Sequence, residues 1–109
     1  MHYALIATCL VVTVAPALAQ QAPFFVYGIG RSSCANWLSQ PVKENEGKAW
    51  IFGFWAGLNR LNEQNHMVGG KSDGPAIVGE TRKICAAEPS TDLVDAVERV
   101  YYEFQRRGK

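Results

Sequence analysis

The sequence predicts an all-α fold: a small four-helix domain, the first helix short, with one disulfide between the first and third helices. Apolar residues recur at spacings of three and four, and no period-two alternation of useful length appears. Ser, Asp and Pro stand where the apolar stretches begin, as they do at helix starts. A chain of 109 residues has room for one domain.

The first segment is typical of an export signal. Residues 4–19 form an uncharged apolar run that ends in Ala-Leu-Ala, the small-residue pattern that precedes signal peptidase cleavage. We therefore expect residues 1–19 to be a signal peptide cleaved after Ala19, and the protein to be periplasmic or secreted in a bacterium. The run is too short to span a bilayer, so we expect no membrane span after cleavage.

Residues 20–30 precede the helical domain, which we place at 31–109. This segment is apolar through Phe24 and Phe25 but is interrupted by a proline and two glycines. We expect it to be an extended N-terminal arm that covers a hydrophobic edge of the core.

The first helix is predicted to be short. Ser32 or Ser33 can cap it, and Cys34 and Trp37 fall on one of its faces. Pro41 is predicted to end it.

The second helix is predicted over residues 44–63 and carries most of the aromatic side chains. Gly53 and Gly57 lie four residues apart and should let another helix approach closely, which would offset their low helix propensity. At 100° per residue one stripe faces the core, formed by Trp50, Ile51, Phe54, Trp55, Leu58 and Leu61.

A polar, glycine-rich loop over residues 64–72 separates the second helix from the third. Ser72 or Asp73 should cap the third helix, and Pro75 fits its first turn because the missing N–H has no partner there. The predicted core face is Ile77, Val78, Thr81, Ile84 and Cys85.

The fourth helix is predicted to begin at a Ser90 cap, with Asp92 in its first turn. Its basic end suits the helix dipole. Its predicted core face is Leu93, Val94, Val97, Val100, Tyr101 and Phe104.

Two cysteines, Cys34 and Cys85, remain after the predicted cleavage. An even pair in an exported chain is most simply a disulfide, because the extracytoplasmic space is oxidising. The alternatives are a reactive thiol or a pair of metal ligands, but neither cysteine belongs to a CxxC motif.

Charge and residue content argue against several function classes. Eleven Lys and Arg balance ten Asp and Glu, which lacks the basic excess of a nucleic-acid-binding protein. His66, in the polar loop, is the one histidine beyond the predicted leader that could serve as a catalytic base. We therefore expect no enzyme, no cofactor and no metal site, and we expect a protein as the partner.

Two aromatic residues are predicted on polar helix faces. Phe52 on the second helix and Tyr102 on the fourth are candidates for a partner or dimer surface. The alternative is that these rings pack on the N-terminal arm or on a loop.

Three segments carry a resemblance to a known family. The strings SCANWL at 33–38, PAIVGETRKIC at 75–85 and TDLVDAVERVYYEF at 91–104 resemble the HdeA/HdeB family of periplasmic acid-stress chaperones. The resemblance implies a small helical protein whose one disulfide joins the early and third helices, at Cys34 and Cys85. It also implies a chaperone-like role in acid or envelope stress.

The second helix resembles a different group. The segment GFWAGLN at 53–59 is similar to the Rap/Tai-type immunity proteins, which neutralise secreted effectors. An immunity or inhibitor protein and a structural envelope module therefore stand as alternatives to the chaperone hypothesis.

Acid supplies a physical route to chaperone activity. Below about pH 3 the ten carboxylates approach neutrality while the eleven Lys and Arg and His66 stay charged, so the charge rises to about +12. Repulsion of that size should separate a homodimer or loosen helices. The candidate protein-binding residues are Phe24, Phe25, Phe52, Phe54, Trp55 and Tyr102.

Overall fold

The computed structural model describes residues 10–12 and 23–109. Most of the predicted signal peptide and its cleavage site after Ala19 lie outside this part of the chain. Within it, the protein contains a 3₁₀ helix at Gly28–Arg31 and four α-helices and no strand, which confirms the predicted fold class. The α-helices are α1 (Cys34–Trp37), α2 (Pro41–Leu61), α3 (Gly74–Ala87) and α4 (Leu93–Arg106). None of the helices in the described ranges is long and apolar enough to cross a membrane.

The N-terminal arm is only partly extended. Its described residues have no regular structure from Pro23 to Tyr27, but the predicted arm then turns into the 3₁₀ helix. The turn depends on Gly28, whose φ of 75° disfavours residues with a side chain. Gly30 lies directly against the indole ring of Trp50, which leaves no room for a Cβ atom.

Helices α1 and α2 are joined by a tight turn. The hydroxyl of Ser33 caps α1 by accepting a hydrogen bond from the backbone N–H of Asn36, at 3.1 Å. Pro41 is the first residue of α2. The prediction that α2 starts at residue 44 was therefore wrong by about one turn. Proline is favoured at this position because the N–H that it lacks would have no helical partner.

The predicted core face of α2 is correct except at its end. Ile51 and Trp55 are buried, whereas Leu61 is 80% exposed because it is the last residue of the helix. The predicted close approach at Gly53 and Gly57 was also wrong, since a Cβ atom at either position would meet nothing within 4 Å. The close contact of α2 is at Gly47, which packs on Trp37 of α1.

Helix α3 begins as predicted. The side chain of Asp73 accepts a hydrogen bond from the backbone N–H of Ala76, at 2.8 Å. Of the predicted core face, Ile77, Val78, Thr81 and Cys85 are buried and Ile84 is partly buried.

Helix α4 begins later than predicted. Its N-cap is Asp92 and not Ser90. The residues before it pair with the start of α1: Cys34 donates its backbone N–H to the carbonyl oxygen of Thr91 at 2.7 Å, and Leu93 donates to that of Ser32 at 2.9 Å. All six residues of its predicted core face are buried.

A disulfide joins Cys34 at the start of α1 to Cys85 near the end of α3, across 51 residues of sequence. It confirms the predicted bridge and overturns the thiol and metal-ligand alternatives. Both cysteines are buried, at 0% and 1% exposure. The bridge therefore lies in the core that α1, α2, α3 and α4 enclose.

Candidate binding surface

The six candidate residues do not form one surface. Phe24 and Phe25 are exposed on the arm, Phe52 is 43% exposed on α2 and Tyr102 is 54% exposed on α4. Each of these three places borders a different surface pocket. The other two candidates lie deeper, since Phe54 is half-buried and stacks on Trp50, and Trp55 is only 5% exposed.

The aromatic rings of the arm include one that contacts a cationic side chain. The guanidinium of Arg31 lies 5.1 Å from the centroid of the Phe25 ring, which is the geometry of a cation–π contact. The ring of Tyr27 packs edge-on against Phe25, at 4.9 Å between centroids. The arm is held to α2 because Trp50 donates its indole N–H to the carbonyl oxygen of Tyr27, at 2.9 Å. These contacts tie Tyr27 to α2 and place the Phe25 ring beside it.

The Phe52 ring lies against the start of α3. A Cβ atom at Gly74 would be 3.0 Å from its Cζ atom, so the ring fits there because residue 74 has no side chain. This contact leaves the ring 43% exposed. The ring borders a pocket of about 430 Å³ between α2 and α3, lined by Lys48, Phe52, Pro75, Val78, Gly79 and Arg82.

Tyr102 stands among charged side chains on α4. Asp95, Glu98, Arg99, Glu103 and Arg106 line the pocket beside its ring. Partial burial, with repulsion from Asp95 as a smaller cause, raises the pKa of Glu98 above its usual value. A hydrogen bond from Arg106 lowers the pKa of Glu103. Charged side chains of α4 therefore border the Tyr102 ring on this surface.

Trp55 has a structural role in the folded protein. Its indole N–H donates to the carbonyl oxygen of Val68, at 2.8 Å. Asn59 binds both backbone polar groups of Val68, and the Tyr101 hydroxyl donates to the side-chain oxygen of Asn59 at 2.9 Å. The GFWAGLN segment thereby fixes the loop after α2 against α4.

His66 is exposed in the loop and pairs with the backbone. Its Nδ1 atom lies 2.9 Å from the carbonyl oxygen of Asn59. Because a carbonyl oxygen only accepts, this ring nitrogen carries the hydrogen and donates it. In residues 10–12 and 23–109 no group of three or more His, Cys, Asp or Glu side chains is placed to hold a metal ion.

The sequence did not single out the cations beside Phe52 or the exposed position of Leu61. Lys48 and Phe52 are four residues apart on α2, as Val78 and Arg82 are on α3, so each pair shares a face. From this spacing the sequence could have predicted that Lys48 shares a face with Phe52 and Arg82 shares one with Val78. What it could not show is that the two faces meet, which is established by the ion pair between Arg82 and Glu44, at 3.3 Å.

Comparison of the chain with protein-family models, with curated proteins and with solved structures found no match.

Proposed function

We propose that the protein is an exported, HdeA-like binding protein that holds other polypeptides and has a chaperone-like role in acid or envelope stress. The observation that carries the proposal is the exposure of aromatic rings at Phe24, Phe25, Phe52 and Tyr102 on a small domain closed by a disulfide. Aromatic side chains are enriched in protein interfaces relative to the rest of the surface, so these rings are candidates for contact with a client. The bridge fits an oxidising compartment outside the cytoplasm.

The ion pairs between elements support a response to acid. Arg82 of α3 pairs with Glu44 of α2, and Arg99 of α4 pairs with Glu88, which follows α3. Each pair needs an ionised carboxylate. In strong acid the glutamates become neutral, while the arginines stay charged and repel one another.

Loosening of the helices would then enlarge the apolar surface. Trp55 is covered in the folded state, so it could contact a client only after α2 moves away from α4 or the loop. Phe54 is half-buried beside Trp50 and would become more exposed as the helices loosen. The buried disulfide would hold α1 to α3 throughout and limit the expansion. We further propose that a homodimer, if it forms near neutral pH, separates under the same repulsion.

The test is a light-scattering assay with an acid-labile client enzyme at about pH 2.5 and about pH 7, the two ends of carboxylate titration. We expect the protein to suppress aggregation in acid. The double variant Phe52→Ser with Tyr102→Ser should lose much of this protection. A matched variant, Ala49→Ser with Ala56→Ser, changes exposed positions of α2 and should retain it. Equal inactivity of the wild type at both pH values would remove the chaperone proposal.

A second candidate function is that of an immunity or inhibitor protein. The observation in its favour is that Phe52 and Tyr102 are already exposed in the folded state, so a folded partner could bind without any opening of the helices. Co-expression with a secreted toxin encoded beside it should then give a stable one-to-one complex in size-exclusion chromatography at neutral pH. Failure of both assays would favour the structural envelope module.

A further inference from the structure

The pocket beside Phe52 is a groove between two antiparallel helices. Glu44 of α2 contacts Arg82 of α3, and Phe52 of α2 contacts Gly74 of α3, so residue numbers rise along one helix as they fall along the other. Eight residues separate the two contacts on each helix. At 1.5 Å per residue the groove is about 12 Å long.

The two ends of this groove differ in chemistry. Phe52 and Pro75 lie at one end and make it apolar, with the buried side chain of Val78 in the middle. Lys48 lies level with Val78, and Arg82 lies at the other end. Among the described residues Lys48 forms no ion pair, and Arg82 shares its charge between Glu44 and the face of Trp37, 5.4 Å away. The groove is therefore apolar at one end and cationic at the other.

A glycine keeps the middle of the groove open. Gly79 lies within α3, and a Cβ atom at this position would meet nothing within 4 Å. Glycine inside a helix costs about 1 kcal/mol relative to alanine. The fold therefore leaves empty a place that a side chain would fill without strain.

We propose that this groove binds a short extended peptide segment that carries a large apolar side chain and, about four residues away, a carboxylate. The apolar side chain lies beside Phe52 and Pro75, and the carboxylate accepts hydrogen bonds from Lys48 and Arg82. An extended chain advances about 3.3 Å per residue and its side chains alternate between two faces, so side chains about four residues apart share a face and span the groove. The proposal rests on the proposed function, because it names the kind of polypeptide segment that this protein holds near neutral pH, where the carboxylate is ionised.

The shape of the groove favours a peptide over a small amphiphilic acid. Pockets for small molecules usually cover some 70–90% of the ligand. This groove is open to solvent, and Phe52 on its wall remains 43% exposed without a ligand. A peptide segment suits such a site because its remaining backbone and side chains stay in water.

The test uses the full, oxidised protein and the fluorescein-labelled peptide Gly-Phe-Ala-Ala-Ala-Glu-Gly in a fluorescence anisotropy titration near neutral pH. We expect saturable binding. Replacing the peptide's Glu by Gln removes its charge-assisted contacts and should weaken binding about tenfold. Replacing its Phe by Ala should weaken binding to a similar degree.

Two glycine variants form a matched pair. Gly79→Leu places a side chain in the groove and should abolish binding while the helix remains folded, as its circular dichroism would show. Gly57→Leu makes the same change on α2 at a position that does not line the groove and meets nothing within 4 Å, so it should bind like the wild type. Lys48→Gln should reduce the preference for the Glu peptide over the Gln peptide.

Several outcomes would overturn the proposal. These are no binding of the Glu peptide, equal affinity for the Glu and Gln peptides, unchanged binding by Gly79→Leu, or binding of decanoate in place of the peptide. The acid assay separates the two proposals. If the wild type protects the client in acid but does not bind the peptide near neutral pH, the groove proposal fails and the chaperone proposal stands. If the wild type binds the peptide but protects no client, the groove proposal stands and the chaperone proposal fails.

Discussion

Gly47 faces the indole ring of Trp37, and this contact sets the distance between α1 and α2. Trp37 is fully buried and donates its indole N–H to the carbonyl oxygen of Glu44, at 3.1 Å. A Cβ atom at residue 47 would overlap the indole ring. Gly47→Ala should therefore lower the free energy of unfolding by about 1–3 kcal/mol, the usual range for overpacking.

Urea denaturation at neutral pH measures this loss. Gly53→Ala is the matched control, because a Cβ atom there meets nothing and the substitution should stabilise α2 by up to about 1 kcal/mol. Equal effects of the two substitutions would contradict the placement of Trp37.

Glu98 and Glu103 predict opposite dependences of stability on pH. Burial raises the pKa of Glu98, so its charged form is unfavourable in the folded state at neutral pH. Glu98→Gln should therefore increase stability at neutral pH, and the gain should disappear as the pH falls below the raised pKa.

Glu103 is the control for that experiment. A hydrogen bond from Arg106 lowers the pKa of Glu103, so its carboxylate stabilises the fold above the usual pKa of the group and loses this effect as the pH falls. Glu103→Gln should be the less stable protein at neutral pH and equal to the wild type in strong acid. Thermal unfolding from about pH 3 to about pH 7 covers both groups. If both variants changed the stability at neutral pH in the same direction, the two pKa shifts would not determine the effect of these residues on stability.

For the individual helices, the local spacing of apolar residues predicted which segments are helical. Hydrogen bonds between segments distant in sequence shift where a helix begins, as they do for α4. The apolar face of α4 and the Asp73 cap of α3 depend on neighbours within four residues, so the sequence shows them directly. Ser90 has the residue type of a cap, but the segment before α4 pairs with residues 32–35, which local sequence cannot show.

The candidate surface was less predictable than the helices. The exposure of Phe52 and Tyr102 follows from helix periodicity, and both rings are exposed. The groove needs the antiparallel contact of α2 with α3, and Leu61, the last residue of α2, is exposed although it falls on the predicted core face. The groove depends on how two helices pack against each other, and the periodicity of one helix does not predict that packing.

The disulfide should provide a large share of the stability of the helix assembly. Closing a loop across 51 residues contributes about 4 kcal/mol in the chain-entropy account. Cys34→Ala with Cys85→Ala should lower the free energy of unfolding by roughly this amount in urea denaturation. A loss below about 1 kcal/mol would mean that the packing of α1 against α3 does not need the bridge.

At the scale of the whole molecule, acid acts on the surface. Thr81 is the single polar side chain buried in the described part of the protein, and it donates to the carbonyl oxygen of Ile77 at 2.9 Å. No acidic or basic side chain is buried there, so protonation leaves the core contacts unchanged. We therefore expect acid expansion to come from the net charge of about +12 and from the loss of surface carboxylate contacts such as that of Glu103 with Arg106.

The effect of salt on the hydrodynamic radius tests whether charge repulsion causes the acid expansion. At about pH 2.5 the hydrodynamic radius should exceed its neutral value in low salt and should return toward it in about 0.5 M NaCl, where the screening length falls to a few ångströms. Near pH 7 salt should change the radius little, because the charges balance. Size-exclusion chromatography with light scattering measures both. An acid expansion that salt does not reverse would exclude charge repulsion as its cause.

The bridge between Cys34 and Cys85 also determines how the protein responds to mechanical force. Tension applied at the chain ends passes from one cysteine to the other through the covalent bond, so α2 and most of α3 carry no load. A processive protease that pulls on the C-terminal end would unfold α4 and then reach the bridge at Cys85, where it would have to thread two strands at once. Reduction of the bridge should therefore speed clearance of this protein by such a machine.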